Sequence, residues 1–445
     1  MRLHIGLDDT DSPEGGCTTY LAAVLADRLL GLGARFMDYP TLLRLNPNTP
    51  WKTRGNAAVC LRVEVDEGQM DDAVRLTLDL VERYGRLGCE NTNPGAVFHT
   101  GEVPEEVVSF SDKVVKQIVE REEAMMLIRD HGMHAYVWKN GRGVIGALAA
   151  IGGTLRGDHT YELITYRTPE NWGSPRRVDP ESVRRMDEAT RGFTFNNMDE
   201  KGRPLITPHG PDPVLYGVRG ESPETVYKAY GIVEELEPVE RWMIYRSNQG
   251  TDAHFASTEP ISGLTPYNPA IIEGKVTSIP ETIPGSHVIF KVRDASGESD
   301  CAAYEPTGDF RHVVRRLIPG DTVRVYGGVR PMNPGLTLNA EKMEVLGLTE
   351  KVSLRNPRCP ECGGGTESMG ADQGLRCKKC GYRDPSLQKI RVVEPRRLKT
   401  GTYLPDRDAH RHLTKPLERY GRERPYLGGL LSEPWISGTP SLSRR

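Results

Sequence analysis

The chain has 445 residues, 37% hydrophobic and 27% charged, which is the composition of a globular protein too long for one ordinary domain. No segment approaches the ~20 apolar residues of a transmembrane helix, and the start lacks the regions of a signal peptide. We therefore expect a cytoplasmic protein with no membrane partner. Residues 351–445 carry 20 Lys and Arg against 10 Asp and Glu, which leaves 38 against 51 for residues 1–350. A basic C-terminal part on an acidic body favours contact of that part with phosphates, although a solvated basic tail would look the same.

The first predicted element is a buried strand over residues 2–7, and an acidic cluster follows it directly. Asp8, Asp9 and Asp11 stand at the C-terminal end of this strand. Carboxylates in such a position can hold Mg²⁺ through one or two oxygens and leave other ligand positions for water and phosphate. These aspartates are therefore candidate catalytic and magnesium-binding residues.

The loop after the cluster has features of a phosphate site. Gly15 and Gly16 allow the backbone to approach a phosphate closely, so both are candidate ATP contacts. Thr18 stands where the next predicted helix begins, near free amides and the positive end of the helix dipole. The pattern predicts a nucleotide site without a Walker motif. An Asp-rich turn with Thr18 as a simple N-cap would give the same sequence.

Two further segments of the N-terminal half are candidate phosphate contacts. Lys52 and Arg54 stand at the mouth of a strand that runs to Val65, where their charges can neutralise ATP phosphates. Two surface cations are nevertheless unremarkable. Residues 141–153 carry five glycines among apolar residues, which is weakly suggestive of a loop that approaches phosphate.

Two dense polar segments are weaker candidates for substrate binding. Residues 197–221 are rich in proline and glycine and contain His209 and Asp212. Residues 246–254, RSNQGTDAH, contain Asn248 and Asp252. Polar loops on a rigid scaffold carry binding sites more often than cores do.

Residues 270–347 have the pattern of an OB-fold, a five-stranded barrel with a helix between its third and fourth strands. The usual ligand of this fold is an oligonucleotide, although a barrel that serves only as a spacer has the same pattern. The predicted strands are 271–279, 287–294, 300–304, 322–328 and 336–345, and the predicted helix is 310–317.

Residues 351–425 contain two C-x-x-C pairs and a basic tail. Cys359, Cys362, Cys377 and Cys380 supply the four sulfurs of a tetrahedral structural zinc site with no open position for catalysis. A redox dithiol or an iron–sulfur cluster is the alternative. Residues 426–445 are rich in Pro, Ser and Gly, so we expect them to be disordered.

These segments, in this order, resemble the archaeal 2-agmatinylcytidine synthetase family, which acts on the AUA-decoding isoleucine tRNA. The resemblance covers nearly the whole chain. It rests on GLDDTDSPEGGCTT at the start, on HGPDPVLYGVRGE and RSNQGTDAH, and on the OB-fold and zinc ribbon that follow.

The resemblance implies a multidomain α/β and α+β protein. A kinase-like ATP and cytidine domain is expected over residues 1–190 and a ferredoxin-like domain over 191–265, with interleaving possible between them. The family uses ATP to replace the C2 oxygen of the wobble cytidine, position 34, with the primary amine of agmatine, and ATP ends as AMP. Asp8, Asp9 and Asp11 would belong to the metal and phosphate site, and Thr18 would become phosphorylated.

Two other functions are compatible with the residues alone. The first is an ATP-dependent RNA kinase or ligase with another acceptor. The second is a non-catalytic nucleic-acid-binding protein that uses the OB-fold and ribbon. The large acidic N-terminal half argues against a pure binder, as do the few aromatic residues of the barrel on which bases could stack. The oligomeric state and the agmatine pocket stay open.

Overall fold

Residues 2–247 build one mixed sheet in the structure, a computed structural model that describes residues 1–333, 335–428 and 431–437. The order across the sheet is β6-β5-β1-β4-β3-β10-β7-β9-β8, and β2 pairs with β4 outside this path. The strands are β1 Arg2–Asp8, β2 Arg35–Phe36, β3 Thr41–Arg44, β4 Ala57–Glu64, β5 Gly95–Thr100, β6 His134–Val137, β7 Thr160–Arg167, β8 Thr194–Phe195, β9 Val214–Gly220 and β10 Val239–Ser247.

The sheet has two halves that meet along one parallel strand pair. In the described strands, β1–β6 pair among themselves and β7–β10 pair among themselves, while β3 and β10 join the halves. At the seam, Thr41 lies opposite Arg246 and Leu42 opposite Ser247. The Ser247 hydroxyl donates to the Leu42 carbonyl at 2.7 Å. Since β7 lies between β10 and β9, the second half of the sheet begins before β7 and therefore before residue 190, where the domain boundary was expected with interleaving allowed.

Helices cover both faces of this sheet. The side chains of β1 point alternately to the helices on one face and on the other. Leu3, Ile5 and Leu7 are buried in the core on the face of α1, whereas Gly6 and Asp8 face α5. Period-two alternation of side chains produces this division. The helices are α1 Thr18–Gly31, α2 Met70–Tyr84, α3 Glu105–Lys116, α4 Arg121–Asp130, α5 Val144–Gly152, α6 Pro180–Ala189 and α7 Pro223–Tyr230.

Most of the glycine-rich run 141–153 forms the buried helix α5 rather than the expected loop. A Cβ atom at Gly6 of β1 would lie 2.0 Å from the Ala147 carbonyl oxygen. A Cβ atom at Gly146 would lie 1.9 Å from Asp8 Oδ2. These glycines therefore let the helix pack closely against β1 and the acidic cluster at its end.

Residues 269–347 form the predicted OB-fold. The strands β11, β15, β16, β14 and β13 pair in that order, and β13 pairs back with β11 to close the barrel. The predicted strands and the helix between the third and fourth barrel strands are confirmed, and a short hairpin strand, β12, is added. The elements are β11 Pro269–Val276, β12 Glu281–Ile283, β13 His287–Arg293, β14 Glu298–Ala303, α8 Phe310–Val314, β15 Thr322–Pro331 and β16 Leu336–Gly347.

A two-stranded stem connects the zinc ribbon to the barrel, and the chain pairs with the barrel again after the ribbon. β17 pairs with β21 in the stem, β18, β19 and β20 form a small sheet, and β22 adds to β16 of the barrel. The strands are β17 Lys351–Arg355, β18 Thr366–Ser368, β19 Leu375–Cys377, β20 Arg383–Asp384, β21 Ile390–Glu394 and β22 Gly401–Tyr403.

After the ribbon the chain runs back to the large sheet. We call residues 404–428 the strap. Beyond it, Trp435 and Ile436 are buried in the core, and the Ile244 amide donates to the Trp435 carbonyl at 2.8 Å. Disorder, expected for the last twenty residues, is therefore wrong for 431–437, while 429–430 and 438–445 lie outside the described residues. No helix in the described parts is long and apolar enough to cross a membrane.

Candidate active site

A cavity of about 660 Å³ lies where the two halves of the large sheet and the strap meet. The end of β1, the starts of α1 and α5, the segment before β4, strands β7 and β9, and the strap all contribute to its wall. Most of the predicted site residues line it, namely Asp8, Asp9, Asp11, Thr18, Lys52, Arg54, His209 and Asp212.

The acidic corner of this cavity consists of Asp8, Asp9 and Asp11. The Asp9 backbone, at φ 58°, turns sharply after β1, and its amide donates to Asp8 Oδ1 at 2.7 Å. Asp9 Oδ2 accepts from the Asn93 amide at 3.1 Å, and Arg142 Nη2 lies 4.0 Å from the same oxygen.

Burial governs the charge of the acidic corner. Burial, reinforced by the neighbouring Asp9 carboxylate, raises the pKa of Asp8 well above its usual range. Burial also raises the pKa of Asp9 to about 7, although Arg142 opposes the shift. Ionising both carboxylates is therefore costly unless a cation joins them. Carboxylate oxygens are the ligands that Mg²⁺ prefers, so the chemistry of these side chains suits this ion.

Arg54 joins the acidic loop to the segment that contains Asp212. Its Nε donates to Asp11 Oδ2 at 2.8 Å, and its Nη1 donates to Asp212 Oδ2 at 3.1 Å. Asp212 also accepts from Arg176 Nη2 at 3.1 Å. Both carboxylates are thus already paired with arginines, which makes Arg54 and Asp212 parts of an internal network.

Thr18 and the two loop glycines have separate tasks. The Thr18 hydroxyl lies 3.0 Å from that of Thr10, and Thr18 is only 7% exposed. Gly15 and Gly16 have φ values of +142° and +76°, which residues with a side chain rarely adopt. The structure does not place these glycines in the cavity wall. They shape the turn that carries Thr18 to it.

Lys52 and His209 complete the predicted set within the cavity. Lys52 Nζ donates to the Pro47 carbonyl at 2.6 Å. Partial desolvation, together with Arg411 and Arg330, lowers the pKa of Lys52 to about 8. His209 lines the cavity without a hydrogen bond to another described residue.

Asn248 and Asp252 do not line the cavity, so their prediction as substrate contacts is not supported. Asn248 Oδ1 accepts from the Arg44 amide at 2.8 Å, and its Nδ2 donates to the Arg44 carbonyl at 2.9 Å. Asp252 forms an ion pair with Lys342 of the barrel and accepts from the Lys415 amide at 2.8 Å. These side chains fasten β3 and the strap to the segment after β10.

The cavity residues that were missed from the sequence include Arg44, Glu162, Arg219 and His412. Glu162 accepts from Arg219 Nε at 3.0 Å and from the side-chain amide of Gln249, and Arg44 Nη2 lies 4.0 Å away. Burial lowers the pKa of Arg44 to about 10, and Glu162 opposes this shift. Charged residues inside the apolar strands β3, β7 and β9 were the available signal, because such residues are rarely buried without a purpose.

The four ribbon cysteines lie together, and none of them is among the residues that line the cavity. Their sulfurs all lie within 4.8 Å of one another, with 3.7 Å between Cys359 and Cys380 and 3.5 Å between Cys362 and Cys377. Zinc bound at ~2.3 Å by four thiolates holds them about 3.8 Å apart, so the set fits zinc. The amides of Cys380 and Lys379 donate to the Cys377 sulfur and lower its pKa to about 6.

Known proteins resemble the chain in every part. Four family profiles match it: "TiaS TCKD domain" over residues 4–72, "TiaS FLD domain" over 141–254, "OB-fold nucleic acid binding domain" over 270–346 and "TiaS C-terminal zinc ribbon domain" over 356–398. The FLD match begins at residue 141, before β7, and therefore includes all four strands of the second half of the sheet.

A relative and two solved structures extend the likeness to full length. The isoleucine-tRNA 2-agmatinylcytidine synthetase TiaS of Methanosarcina acetivorans is 45% identical over 424 residues, which cover 93% of this chain and 97% of the relative. A crystal structure of TiaS in complex with isoleucine tRNA and ATP superimposes with a TM-score of 0.86 at 41% identity. It covers 94% of this chain and 97% of that one.

A crystal structure of TiaS in complex with isoleucine tRNA, AMPCPP and agmatine gives a TM-score of 0.84 at 38% identity. It covers 95% of this chain and 98% of that one. The cavity residues at the end of β1 fall within the TCKD match over residues 4–72. The chain belongs to the family of isoleucine-tRNA 2-agmatinylcytidine synthetases.

Proposed function

We infer that this protein uses ATP to conjugate agmatine to C2 of the wobble cytidine in the AUA-decoding isoleucine tRNA. Full-length likeness to relatives that carry this activity in their name is the observation that supports the inference most strongly. The cavity agrees with it, because the cavity combines an acidic corner, a helix N-terminus at Thr18 and wall residues from both halves of the sheet.

The reaction needs activation of a poor leaving group. The C2 oxygen of cytosine cannot leave by itself, whereas a phosphorylated oxygen leaves as phosphate when the agmatine amine forms the new C–N bond. Positioning and charge neutralisation dominate such phosphoryl transfers. We assign these tasks to the cavity residues.

We propose that Asp8, Asp9 and Asp11 hold magnesium beside the ATP phosphates. The bound ion would neutralise charge on the transferring phosphoryl group. Lys52 would add a cation at the mouth of the cavity. Arg54 would act indirectly, because its ion pair with Asp11 fixes that carboxylate.

Thr18 is the proposed phosphorylation site within the protein. Its hydroxyl lies at the N-terminus of α1, where backbone amides and the helix dipole favour a phosphate. The hydroxyl must first release its partner Thr10, which lies 3.0 Å away. Transfer from ATP would break a P–O–P bond of the triphosphate, release the remainder as leaving group, and form the new P–O bond to the Thr18 oxygen as the hydroxyl proton leaves.

Agmatine is a cation at both ends, so the carboxylates of the cavity attract it. For Asp212 to bind the guanidinium, it must exchange its ion pair with Arg54 at 3.1 Å. A bidentate guanidinium pair would compensate for that exchange. His209 is the proposed base that removes the proton from the attacking amine.

The barrel and ribbon are the proposed tRNA-binding half. Most cations of the ribbon stand on exposed strands or turns, where they can meet the phosphate backbone. Arg396 is an exception, because it binds both carboxylate oxygens of Asp321 and fixes the stem to the barrel.

Mass spectrometry of nucleosides tests the function directly. The protein is incubated with a transcript of the isoleucine tRNA, ATP, Mg²⁺ and agmatine, and each component is omitted in turn. A cytidine heavier by agmatine minus water, formed only with ATP, is the expected product. ATP consumption in the presence of tRNA without this product would instead favour another acceptor.

A further inference from the structure

The strap carries His412 into the active-site cavity from the far end of the chain. The Gly250 amide donates to the His412 carbonyl at 2.8 Å, and the Asp252 amide donates to the Leu413 carbonyl at 2.8 Å. Arg419, buried between Glu221 and Asp158, anchors the strap farther on. The segment after β10 therefore holds His412 in a fixed position.

The hydrogen bonds of His412 determine its tautomer. Arg219 Nη2 lies 3.2 Å from His412 Nδ1. A guanidinium has only donors, so Nδ1 must accept and Nε2 must carry the hydrogen. Among the described residues no acceptor bonds to Nε2. Burial, together with Arg44 and Arg219, keeps the pKa of His412 well below its usual range, so the ring stays neutral.

Arg44 and Arg219 extend this set of donors. Glu162 is the carboxylate that faces both, and Arg44 Nε is buried without a partner in the described structure. Gly55 leaves room in front of them, since a Cβ atom there would lie 2.7 Å from Arg44 Nη1 and 3.2 Å from His412 Nε2. This wall therefore has an excess of donors and of positive charge.

We propose that Arg44, Arg219 and His412 form a donor wall that binds phosphoryl oxygens of a substrate, with His412 Nε2 as a direct donor. The proposal rests on the function inferred above, in which ATP and tRNA are the substrates that carry phosphoryl groups. Agmatine offers donors and positive charge, so it does not suit this wall. A phosphoryl group offers acceptors and negative charge, as the wall requires.

Two substitutions of His412 distinguish the effect of its hydrogen-bond donor from the effect of its ring volume. His412→Phe keeps the ring volume and removes the donor, whereas His412→Gln places an amide donor near the position of Nε2. We expect His412→Phe to lower product formation about tenfold to a hundredfold, the effect of losing one hydrogen bond to a charged group. His412→Gln should retain most of the activity. His134→Phe, the same change at an exposed histidine of β6, is the matched control.

Binding measurements without turnover identify the source of the phosphoryl group. A weaker affinity of His412→Phe for AMPCPP alone would assign the wall to the nucleotide, and a weaker affinity for the tRNA alone would assign it to the RNA backbone. Either result, with rescue by Gln, supports the proposal. Equal losses in Phe and Gln, or no loss in Phe, would overturn it. Wild-type product formation tests the proposed function separately.

Discussion

The acidic corner and the donor wall occupy the same cavity but are built in different ways. Asp8, Asp9 and Asp11 stand at the end of one strand, within four positions of the sequence. Arg44, Arg219 and His412 come from β3, β9 and the strap. A site made of neighbouring residues can be recognised from its motif. A site made of distant residues exists only after the strands pair and the strap returns, and its charges are compensated by Glu162 rather than by a sequence neighbour.

The largest expected effect comes from breaking the acidic corner. Asp9→Asn should lower product formation about a thousandfold or more, because metal-assisted charge stabilisation contributes several kcal/mol to such reactions. The tRNA affinity should stay within a few-fold, since the proposed contacts with the RNA backbone lie on the barrel and the basic ribbon rather than in the acidic corner. Rates from nucleoside mass spectrometry and affinities from filter binding measure the two quantities.

Asp130→Asn, an exposed aspartate of α4, is the control for this charge removal. A parallel loss of activity and tRNA affinity in Asp9→Asn would contradict a purely catalytic acidic corner.

A smaller effect on product formation is expected when the ribbon loses its zinc. Cys377→Ser should release zinc and weaken tRNA binding about tenfold or more, because a ribbon of this size depends on its metal to fold. The affinity for AMPCPP should be unchanged if the acidic corner and the donor wall of the cavity act independently of the ribbon. Zinc content by mass spectrometry and the two affinities are the measurements.

Cys89→Ser makes the same exchange outside the ribbon and should leave zinc and tRNA binding as in the wild type. Full zinc retention by Cys377→Ser would show that the four-thiolate site is assigned wrongly.

The smallest expected effect is on the pH dependence of the free energy of unfolding. Its measurement tests whether His412 is neutral in the folded protein. The folded pKa of His412 lies below the value of the unfolded chain, so the unfolded state takes up a proton first as the pH falls below about 6.5. Stability contributed by the neutral ring is therefore lost on acidification. His412→Gln should lose less stability than the wild type between pH 7 and pH 5, measured by thermal unfolding. Identical losses in the two proteins would mean that His412 titrates as in the unfolded chain.

The two ends of the chain differ in how much their sequence reveals. The strands of the barrel were placed correctly because alternation and turn residues are local signals. The cysteine pairs predicted a zinc site because their spacing alone specifies four ligands. The junction inside the large sheet could not be located from the sequence, since β3 and β10 pair in parallel at long range and leave no local signal. Asn248 and Asp252 bind protein groups in the structure, and the sequence of a dense polar loop does not reveal whether its partners are ligands or protein groups.

Local sequence was sufficient to identify the acidic corner, the barrel, the zinc ligands and, through the long motifs, the family. Each of these depends on residues close together in the chain, where periodicity and spacing carry the information. Three features emerged only from the folded arrangement: Arg54 pairs with Asp212, α5 packs on β1, and the strap brings His412 to the cavity. These features arise from contacts between distant segments, which burial and hydrogen-bond geometry select after the chain has folded.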